Sequence, residues 1–351
     1  MQMKKLLFGL MLFAALGAKA QQMTAEEQTE AIRQLTEEVN ALKTKQSNWE
    51  KVKSALPTFS GFMQMRYTYD GDASNFSFRR VRMSMAGTVA KKVDYKLQLE
   101  LSSFKIIDAF VDYKPFEALK IKAGQFKIPF LIENTDYSPT KMELLDYPMA
   151  LQKLIGFSEK IGEGTISATG REMGISLHGD LANKILSYDV ALFNGTGINT
   201  SDNNKSKDVA ARLMLRPVQG LTFAASYYWG EYGAAHYVRE RYGFAACYDN
   251  GPVVARAEYI AGKTGFADGD LKSDGYNIVA GYRFCKKWMA AARFDSFTEN
   301  TDFRSETKQN NYTVGLGWYP AKFLRLQVDY VHEDQAVGHR NVLMTQLTAS
   351  F

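Results

Sequence analysis

The sequence NVLMTQLTASF, residues 341–351, alternates between two kinds of side chain. Counting back from the end, one face is mainly apolar and consists of Phe351, Ala349, Leu347, Thr345 and Leu343. The other face is mostly polar and consists of Ser350, Thr348, Gln346, Met344 and Val342. Because successive side chains of a strand point to opposite faces, this stretch predicts a β-strand that separates an apolar from a polar environment.

The start of the chain predicts export. Lys4 and Lys5 form a basic region, residues 6–16 are apolar, and Ala18-Lys19-Ala20 fits a small-x-small cleavage site. The apolar run is too short for a spanning helix, so residues 1–20 are interpreted as a signal peptide. An exported chain built from alternating strands predicts an outer-membrane β-barrel rather than a soluble all-β domain.

The charge balance excludes some classes of partner. The chain has 43 Lys and Arg against 38 Asp and Glu. Three lysines leave with the signal peptide, so 40 oppose 38 and the net charge is +2. This balance and the lack of a recognisable motif predict no nucleic-acid partner. Cys247 and Cys285 fall on separate predicted strands, and the four histidines have no metal-ligand spacing, so no metal or cofactor is expected.

A different composition lies between the signal and the first strand. From residue 28 to residue 56 the chain is rich in Glu, Gln, Lys and Thr, and Pro57 ends it. Residues at spacings of 3, 4, 3, 4 and 3 form a heptad stripe, namely Ile32, Leu35, Val39, Leu42, Gln46 and Trp49. We predict that residues 21–57 are a linker and a short periplasmic coiled coil that joins identical subunits. A single helix on the barrel mouth and a flexible leader are the alternatives.

The sequence of residues 58–351 predicts sixteen antiparallel transmembrane strands. Several have the ten-residue length of a tilted spanning strand, and very short connections alternate with longer polar ones. The predicted strands are 58–70, 76–90, 93–104, 106–115, 118–127, 171–181, 185–195, 207–217, 220–231, 239–249, 252–263, 274–285, 287–298, 310–320, 322–334 and 341–351.

The two faces of these strands differ in charge. Outward positions carry residues such as Met63, Met65, Tyr312 and Val314, whereas the opposite face carries many Arg, Lys, Asp and Glu side chains. Unpaired buried charges are costly, so the interior must be wet or plugged. We expect a basic pore lining of Arg66, Arg80, Arg82, Lys96, Lys120, Lys122, Arg293 and Arg325. The alternative for each is a salt bridge within the wall.

One connection is much longer than the others. Residues 128–170 show no clear alternation and contain three prolines and four glycines. So long an irregular segment is usually functional, and we predict that it folds inward and narrows the lumen. An exposed lid or a disordered outer loop is the alternative. The candidate constriction residues are Lys127, Lys141, Lys153 and Lys160.

Several motifs resemble the phosphate-selective porin O and P family. They are Phe78-Arg79-Arg80-Val81-Arg82 with Met85-Ala86-Gly87, Asp108-Ala109-Phe110-Val111-Asp112-Tyr113, Ala123-Gly124-Gln125-Phe126-Lys127-Ile128-Pro129-Phe130, Arg171-Glu172-Met173-Gly174, Phe193-Asn194-Gly195-Thr196-Gly197, Arg256-Ala257-Glu258-Tyr259 and Ala292-Arg293-Phe294-Asp295. The resemblance covers residues 58–351. It implies a trimeric sixteen-stranded diffusion channel in the outer-membrane lipid, with basic side chains along the path of small anions such as phosphate.

The long segment departs from the family's pattern. It has four lysines against six acidic residues, counted from residue 127 to residue 170. Where a loop arginine is expected, the sequence reads Leu144-Leu145-Asp146-Tyr147-Pro148. Rings of charged side chains set the ion preference of a pore. Because this segment is acidic on balance, its residues do not predict phosphate selectivity, which is implied only by the resemblance. We predict passive diffusion of small hydrophilic solutes with a preference for anions. A non-selective general porin and a barrel-anchored structural or adhesive protein are the alternatives.

The sequence does not predict an enzyme. Ser176 and His178 point inward from one predicted strand and are the nearest approach to a nucleophile and base. The sequence suggests no third group that would orient them.

Overall fold

The computed structural model describes residues 26, 29–30, 33–44, 56–162 and 164–351. The chain divides into two compact units, Met1–Leu56 and Pro57–Phe351. Within the first unit, residues 33–44 form helix α1, and Arg33 pairs with Glu30 at 2.9 Å and with Glu37 at 3.4 Å. The side chains of Leu35, Val39 and Leu42 are exposed.

Parts of two sequence predictions lie outside the described residues. These are the signal peptide over residues 1–20 and the stripe positions Ile32, Gln46 and Trp49. The coiled coil therefore stays a prediction. No helix among the described residues is long and apolar enough to cross a membrane.

The second unit is a barrel of sixteen antiparallel strands. Apart from the short strands β6 and β7, which pair with each other, every strand belongs to the wall. The strands are β1 (Thr58–Tyr69), β2 (Ser74–Ala90), β3 (Val93–Glu100), β4 (Lys105–Phe116), β5 (Leu119–Lys127), β6 (Glu159–Ile161), β7 (Gly164–Ile166), β8 (Arg171–Leu181), β9 (Leu186–Phe193), β10 (Asp208–Val218), β11 (Leu221–Tyr232), β12 (Tyr237–Asn250), β13 (Val253–Phe266), β14 (Gly269–Phe284), β15 (Trp288–Thr298), β16 (Lys308–Ala321), β17 (Leu324–Gln335) and β18 (Gly338–Ser350).

The first and last strands close the barrel. β1 pairs with β18 in a register that places Phe62 opposite Ser350. Gly61 and Phe351 exchange backbone hydrogen bonds of 3.1 and 3.0 Å. A Cβ atom on Gly61 would lie 2.5 Å from the Phe351 ring and 2.7 Å from the backbone carbonyl oxygen of Arg82, so a side chain here would require this closure to shift. The predicted closed sixteen-stranded barrel is therefore confirmed.

The predicted strand ends differ most from the structure in β3 and β14. β14 begins at Gly269, five residues before its predicted start at residue 274. The reason is that residues 269–273 also pair with β13, and the last pair is Phe266 with Gly269. β3 ends at Glu100 rather than at residue 104. There the Glu100 carboxylate accepts hydrogen bonds from the backbone of Val81 and from Ser102, which replaces further strand pairing.

Side-chain burial follows the predicted alternation. Met63 and Met65 on β1 and Tyr312 and Val314 on β16 are exposed on the outer face. The charged face is largely buried, and Arg66 is only 5% exposed.

The connection between β5 and β8 contains short elements. They are helix α2 (Glu133–Asp136), helix α3 (Met149–Leu154) and the hairpin of β6 and β7. A further short helix, α4 (Arg304–Thr307), lies between β15 and β16. Apolar residues of the long connection, among them Ile128, Phe130 and Leu151, are fully buried and pack with the wall residues Phe193 and Ile260. The connection thus packs against side chains of the barrel's charged face.

Candidate functional site

Acidic wall residues accept hydrogen bonds from the backbone of residues 128–170. Glu258 on β13 accepts from the backbone N–H groups of Ile132 and Glu133 at 2.9 and 2.8 Å. Asp329 on β17 accepts from Leu145 at 2.7 Å, and Asp295 on β15 accepts from Met149 at 3.2 Å. These wall carboxylates therefore satisfy backbone donors that an irregular segment leaves unpaired.

Arginines of the wall hold acidic residues of the same segment. Arg256 contacts Glu133 at 2.5 Å and Glu143 at 2.9 Å. Arg212 contacts Asp136 at 3.1 Å. Much of the positive charge on the wall is thus paired with the acidic segment.

The most extensive group of these contacts surrounds Glu159, which is fully buried. Its Oε1 atom accepts from Arg239 Nε at 2.8 Å and from Arg241 Nη2 at 2.7 Å. Its Oε2 atom accepts from Arg239 Nη2 and from the backbone of Gly156, both at 2.7 Å. Although burial alone raises the pKa of Glu159, both arginines lower it more strongly, so the carboxylate is charged.

Two of the predicted pore-lining arginines also hold the segment. Arg293 donates to the carbonyl oxygen of Asp146 at 2.6 Å and pairs with Asp295. Arg325 donates to the carbonyl oxygens of Thr140, at 3.1 Å, and of Met142. The guanidinium groups of Arg293 and Arg325 thus donate hydrogen bonds to acceptors of the protein itself.

The early arginine cluster surrounds Asp146. Arg66 contacts its carboxylate at 2.8 Å, and Arg79 approaches it to 3.7 Å. Burial raises the pKa of Asp146, but Arg66 and Arg79 outweigh it and hold the pKa at about 2. Asp146 thus stays ionised at neutral pH and cancels one positive charge of the cluster. Arg80 donates to the side-chain amide of Gln64 at 3.0 Å.

A cavity of about 310 Å³ separates the segment from one side of the wall. Wall residues from β1 to β5, β8 and β9 face residues 135–139 of the segment across it. Five basic residues line the cavity against three acidic ones, so its formal charge is +2. The basic residues are Arg82, Lys96, Lys122, Lys127 and Arg171, and the acidic residues are Asp108, Asp136 and Asp189.

The basic groups of this cavity differ in their partners. Arg82 pairs with Glu100 at 2.9 Å, and Asp108 accepts from Lys96 at 2.6 Å and from Arg171 at 2.7 Å. Lys127 donates to the carbonyl oxygen of Tyr137 at 2.7 Å.

Lys122 is the exception among the five. Within the described residues its ammonium forms no hydrogen bond or ion pair, and it lies 5.3 Å from the Phe110 ring centre and 5.5 Å from that of Phe126. It is the basic group most available to a solute.

The remaining predicted site residues lie elsewhere. Lys120 pairs with Asp180 at 2.8 Å and with Glu117 at 3.5 Å. Lys141 lines a second cavity, whereas Lys153 and Lys160 line a third. The structure therefore brings together Arg82, Lys96, Lys122 and Lys127, and it does not bring the four lysines of the segment together.

Sequence reasoning missed several residues of these contacts. Arg239 and Arg241 have the same Arg-x-Arg spacing on β12 as Arg80 and Arg82 on β2, so this pattern was available as a signal. Phe62, Phe110 and Phe126 also line the cavity, on the charged face of their strands.

Ser176 and His178 each contact an aspartate. Ser176 donates to Asp189, and Nε2 of His178 lies 3.0 Å from Asp112. The hydroxyl and the imidazole thus contact different partners.

Solved structures share the fold at low sequence identity. An anion-selective porin from Comamonas acidovorans has a TM-score of 0.66 and 12% identity, covering 84% of this chain and 99% of that one. OmpF of Salmonella typhi, in complex with daunomycin, has a TM-score of 0.63 and 14% identity, covering 84% and 97%. OmpT of Vibrio cholerae in its trimer form has a TM-score of 0.57 and 10% identity, covering 84% and 99%.

Sequence comparison identifies the family. No curated protein matches the chain significantly in sequence. The profile of the phosphate-selective porin O and P family matches residues 59–237 and 232–346, which together span nearly the whole barrel. The chain belongs to the phosphate-selective porin O and P family.

Proposed function

We propose that this outer-membrane porin passes small hydrophilic solutes by passive diffusion and prefers anions, with the path along the cavity between residues 135–139 and the wall strands β1 to β5. The cavity's formal charge of +2 is the observation that carries the proposal. At ~30 Å³ per water molecule, its 310 Å³ has room for roughly ten. A small hydrated solute therefore fits beside the segment.

Residues 128–170 act as the constriction in this proposal. Their apolar side chains pack against wall residues of β5, β9 to β13 and β15, and the cavity lies between residues 135–139 and the wall strands β1 to β5, β8 and β9. Charged side chains that line a narrow passage set ion preference because the ion passes them at close range. Lys122 contributes most, since its ammonium forms no ion pair within the described residues, although Asp112 lies opposite it in the β4–β5 pair.

The preference is expected to be modest. Asp146 offsets the arginine cluster at Arg66 and Arg79, and Glu133, Glu143 and Glu159 bind three further arginines. The family's name supports phosphate as one solute, although only a small excess of positive charge remains here to attract it. If salt screens this small excess of positive charge, the alternative is a non-selective general porin.

Reversal potentials across a KCl gradient test the proposal with purified channels in a planar bilayer. We expect chloride to permeate better than potassium at 0.1 M salt, where the Debye length is about 10 Å, and the ratio to approach one near 1 M, where it is about 3 Å. Lys122→Gln should lower the ratio, whereas Lys91→Gln in the exposed β2–β3 turn should not. A ratio at or below one at low salt contradicts the anion preference.

The porin also assembles as a trimer in our proposal, aided by the helix of residues 33–44 in the periplasm. Leu35, Val39 and Leu42 of the heptad stripe are exposed in the single chain, as expected of a helix whose apolar side is covered by identical copies. The trimer form of Vibrio cholerae OmpT, a barrel of the same fold, supports this number of subunits.

A further inference from the structure

The cavity beside residues 135–139 is partly aromatic as well as basic. Phe62 on β1, Phe110 on β4 and Phe126 on β5 line it together with the basic groups. The rings of Phe110 and Phe126 meet edge to face, with 6.3 Å between their centres. Phe126 in turn lies 5.3 Å from Phe193, which is fully buried, so the aromatic group is supported from behind.

Glycine keeps these rings in position. Gly124 lies opposite Phe110 in the β4–β5 pair and has a φ of 126°. A Cβ atom there would lie 2.1 Å from the carbonyl oxygen of Ala109 and 2.8 Å from Cα of Phe110. A side chain at residue 124 is therefore excluded by both backbone conformation and space, and the wall beside Phe110 stays open.

Cationic groups border the same apolar surface. The unpaired ammonium of Lys122 lies over Phe110 and Phe126, and the Arg82 guanidinium lies 6.0 Å from the Phe62 ring centre. Ring faces attract cations at such distances, which keeps Lys122 beside the aromatic surface. A solute here would meet positive charge and an apolar surface together.

We propose that this cavity is a binding subsite for organic anions that combine one carboxylate with a planar apolar body. The carboxylate contacts Lys122, and the apolar body lies against Phe110 and Phe62. This inference rests on the proposed anion path and names a solute class for it.

Inorganic phosphate fits the subsite less well. It has no apolar surface to set against the aromatic rings, and four of the five basic groups already donate to carboxylates or carbonyl oxygens. Asp108, Asp136 and Asp189 also face the cavity and repel a multiply charged anion more than a singly charged one. The aromatic contribution should therefore decide between anions of equal charge.

Concentration-dependent block of the chloride current tests the subsite in full-length porin. Benzoate, acetate and inorganic phosphate are added to single channels in KCl. Because an aromatic contact contributes about 0.5–1.5 kcal/mol, benzoate should half-block at a concentration roughly two- to tenfold below that of acetate. Phosphate should block less effectively than benzoate.

Substitutions assign the preference to named residues. Phe110→Ala should abolish the difference between benzoate and acetate, and Phe110→Leu, which keeps an apolar side chain, should retain part of it. Lys122→Gln should weaken block by both acids. Phe303→Ala, in an exposed loop, is the control and should leave every value unchanged.

The outcomes separate this inference from the proposed function. Equal block by benzoate and acetate, stronger block by phosphate, or an unchanged benzoate preference in channel-forming Phe110→Ala and Phe110→Leu overturns the subsite. The reversal potential is recorded on the same channels. A chloride-to-potassium ratio at or below one overturns the proposed anion path instead.

Discussion

Glu159→Gln should release the hairpin of β6 and β7 from the wall while leaving the barrel intact. The carboxylate of Glu159 accepts four hydrogen bonds of 2.7 to 2.8 Å, three of them from Arg239 and Arg241. Glutamine keeps one acceptor oxygen, and its amide group would face guanidinium donors. The substitution thus removes a charge and at least one of the arginine contacts.

The magnitude follows from the burial of all three groups. Glu159 and Arg241 have no exposed surface and Arg239 is 1% exposed, and breaking such a buried pair costs about 3–5 kcal/mol. Glu172 and Asp208 each lie 3.6 Å from Arg239 and compensate part of the loss. We therefore expect about 3 kcal/mol, which increases local opening roughly 150-fold at 1.36 kcal/mol per factor of ten.

Limited proteolysis and single-channel noise measure this opening. In Glu159→Gln, cleavage within residues 156–166 should become faster and current fluctuations larger, whereas the barrel should keep its β-rich circular dichroism spectrum and heat-modifiable gel migration. Glu299→Gln makes the same chemical change at an exposed residue whose contact with Lys160 is 4.0 Å, and it should behave as wild type. Equal cleavage rates and equal noise in both variants would refute the anchoring role of Glu159.

Three other perturbations test the remaining arguments. Replacing Arg80 and Arg82 together by Ala should reduce the chloride-to-potassium permeability ratio at 0.1 M salt, and an unchanged ratio would mean that their charge does not reach the path. Deleting residues 21–56 should weaken oligomers in mild detergent without unfolding the barrel; a strictly monomeric full-length protein would contradict both the trimer and the role of the helix. Gly61→Val should impair closure between β1 and β18, because its side chain would collide with the Phe351 ring and with the backbone carbonyl oxygen of Arg82, and this should appear as loss of heat-modifiable migration.

The alternation of apolar and polar side chains predicted the wall strands well because the pattern of each strand depends only on the media that its own two faces contact. A spanning strand faces two different media, so its side chains carry a period of two whatever its neighbours are. The strand Arg171–Leu181 was predicted to the residue in this way. The same parity also places Phe62, Phe110 and Phe126 on the inner face, although only the charged residues of that face were selected as candidates.

The contacts of residues 128–170 could not be predicted in the same way. Asp146 and Arg66 are 80 residues apart, and Arg239 and Glu159 are also 80 apart. No periodic pattern links these residues, since their meeting depends on how an irregular segment folds inside a closed wall. The sequence did show that Leu144-Leu145-Asp146-Tyr147-Pro148 stands where the resemblance implied a loop arginine, but the arginines that contact Asp146 became visible only in the structure.

These pairings explain why a count of basic side chains is a poor guide to selectivity in this porin. Five arginines of the inner face each contact a carboxylate at 2.5 to 2.8 Å, namely Arg66, Arg239, Arg241, Arg256 and Arg293. Such arginines bind residues 128–170 and have little capacity left for a passing ion. Lys122 has no such partner among the described residues, so its single charge should influence permeation more than the larger but paired arginine group. The summed charge of residues 128–170 is acidic and counts against an anion channel. In the structure, however, most of these acidic residues contact wall arginines and thereby anchor the segment to the barrel.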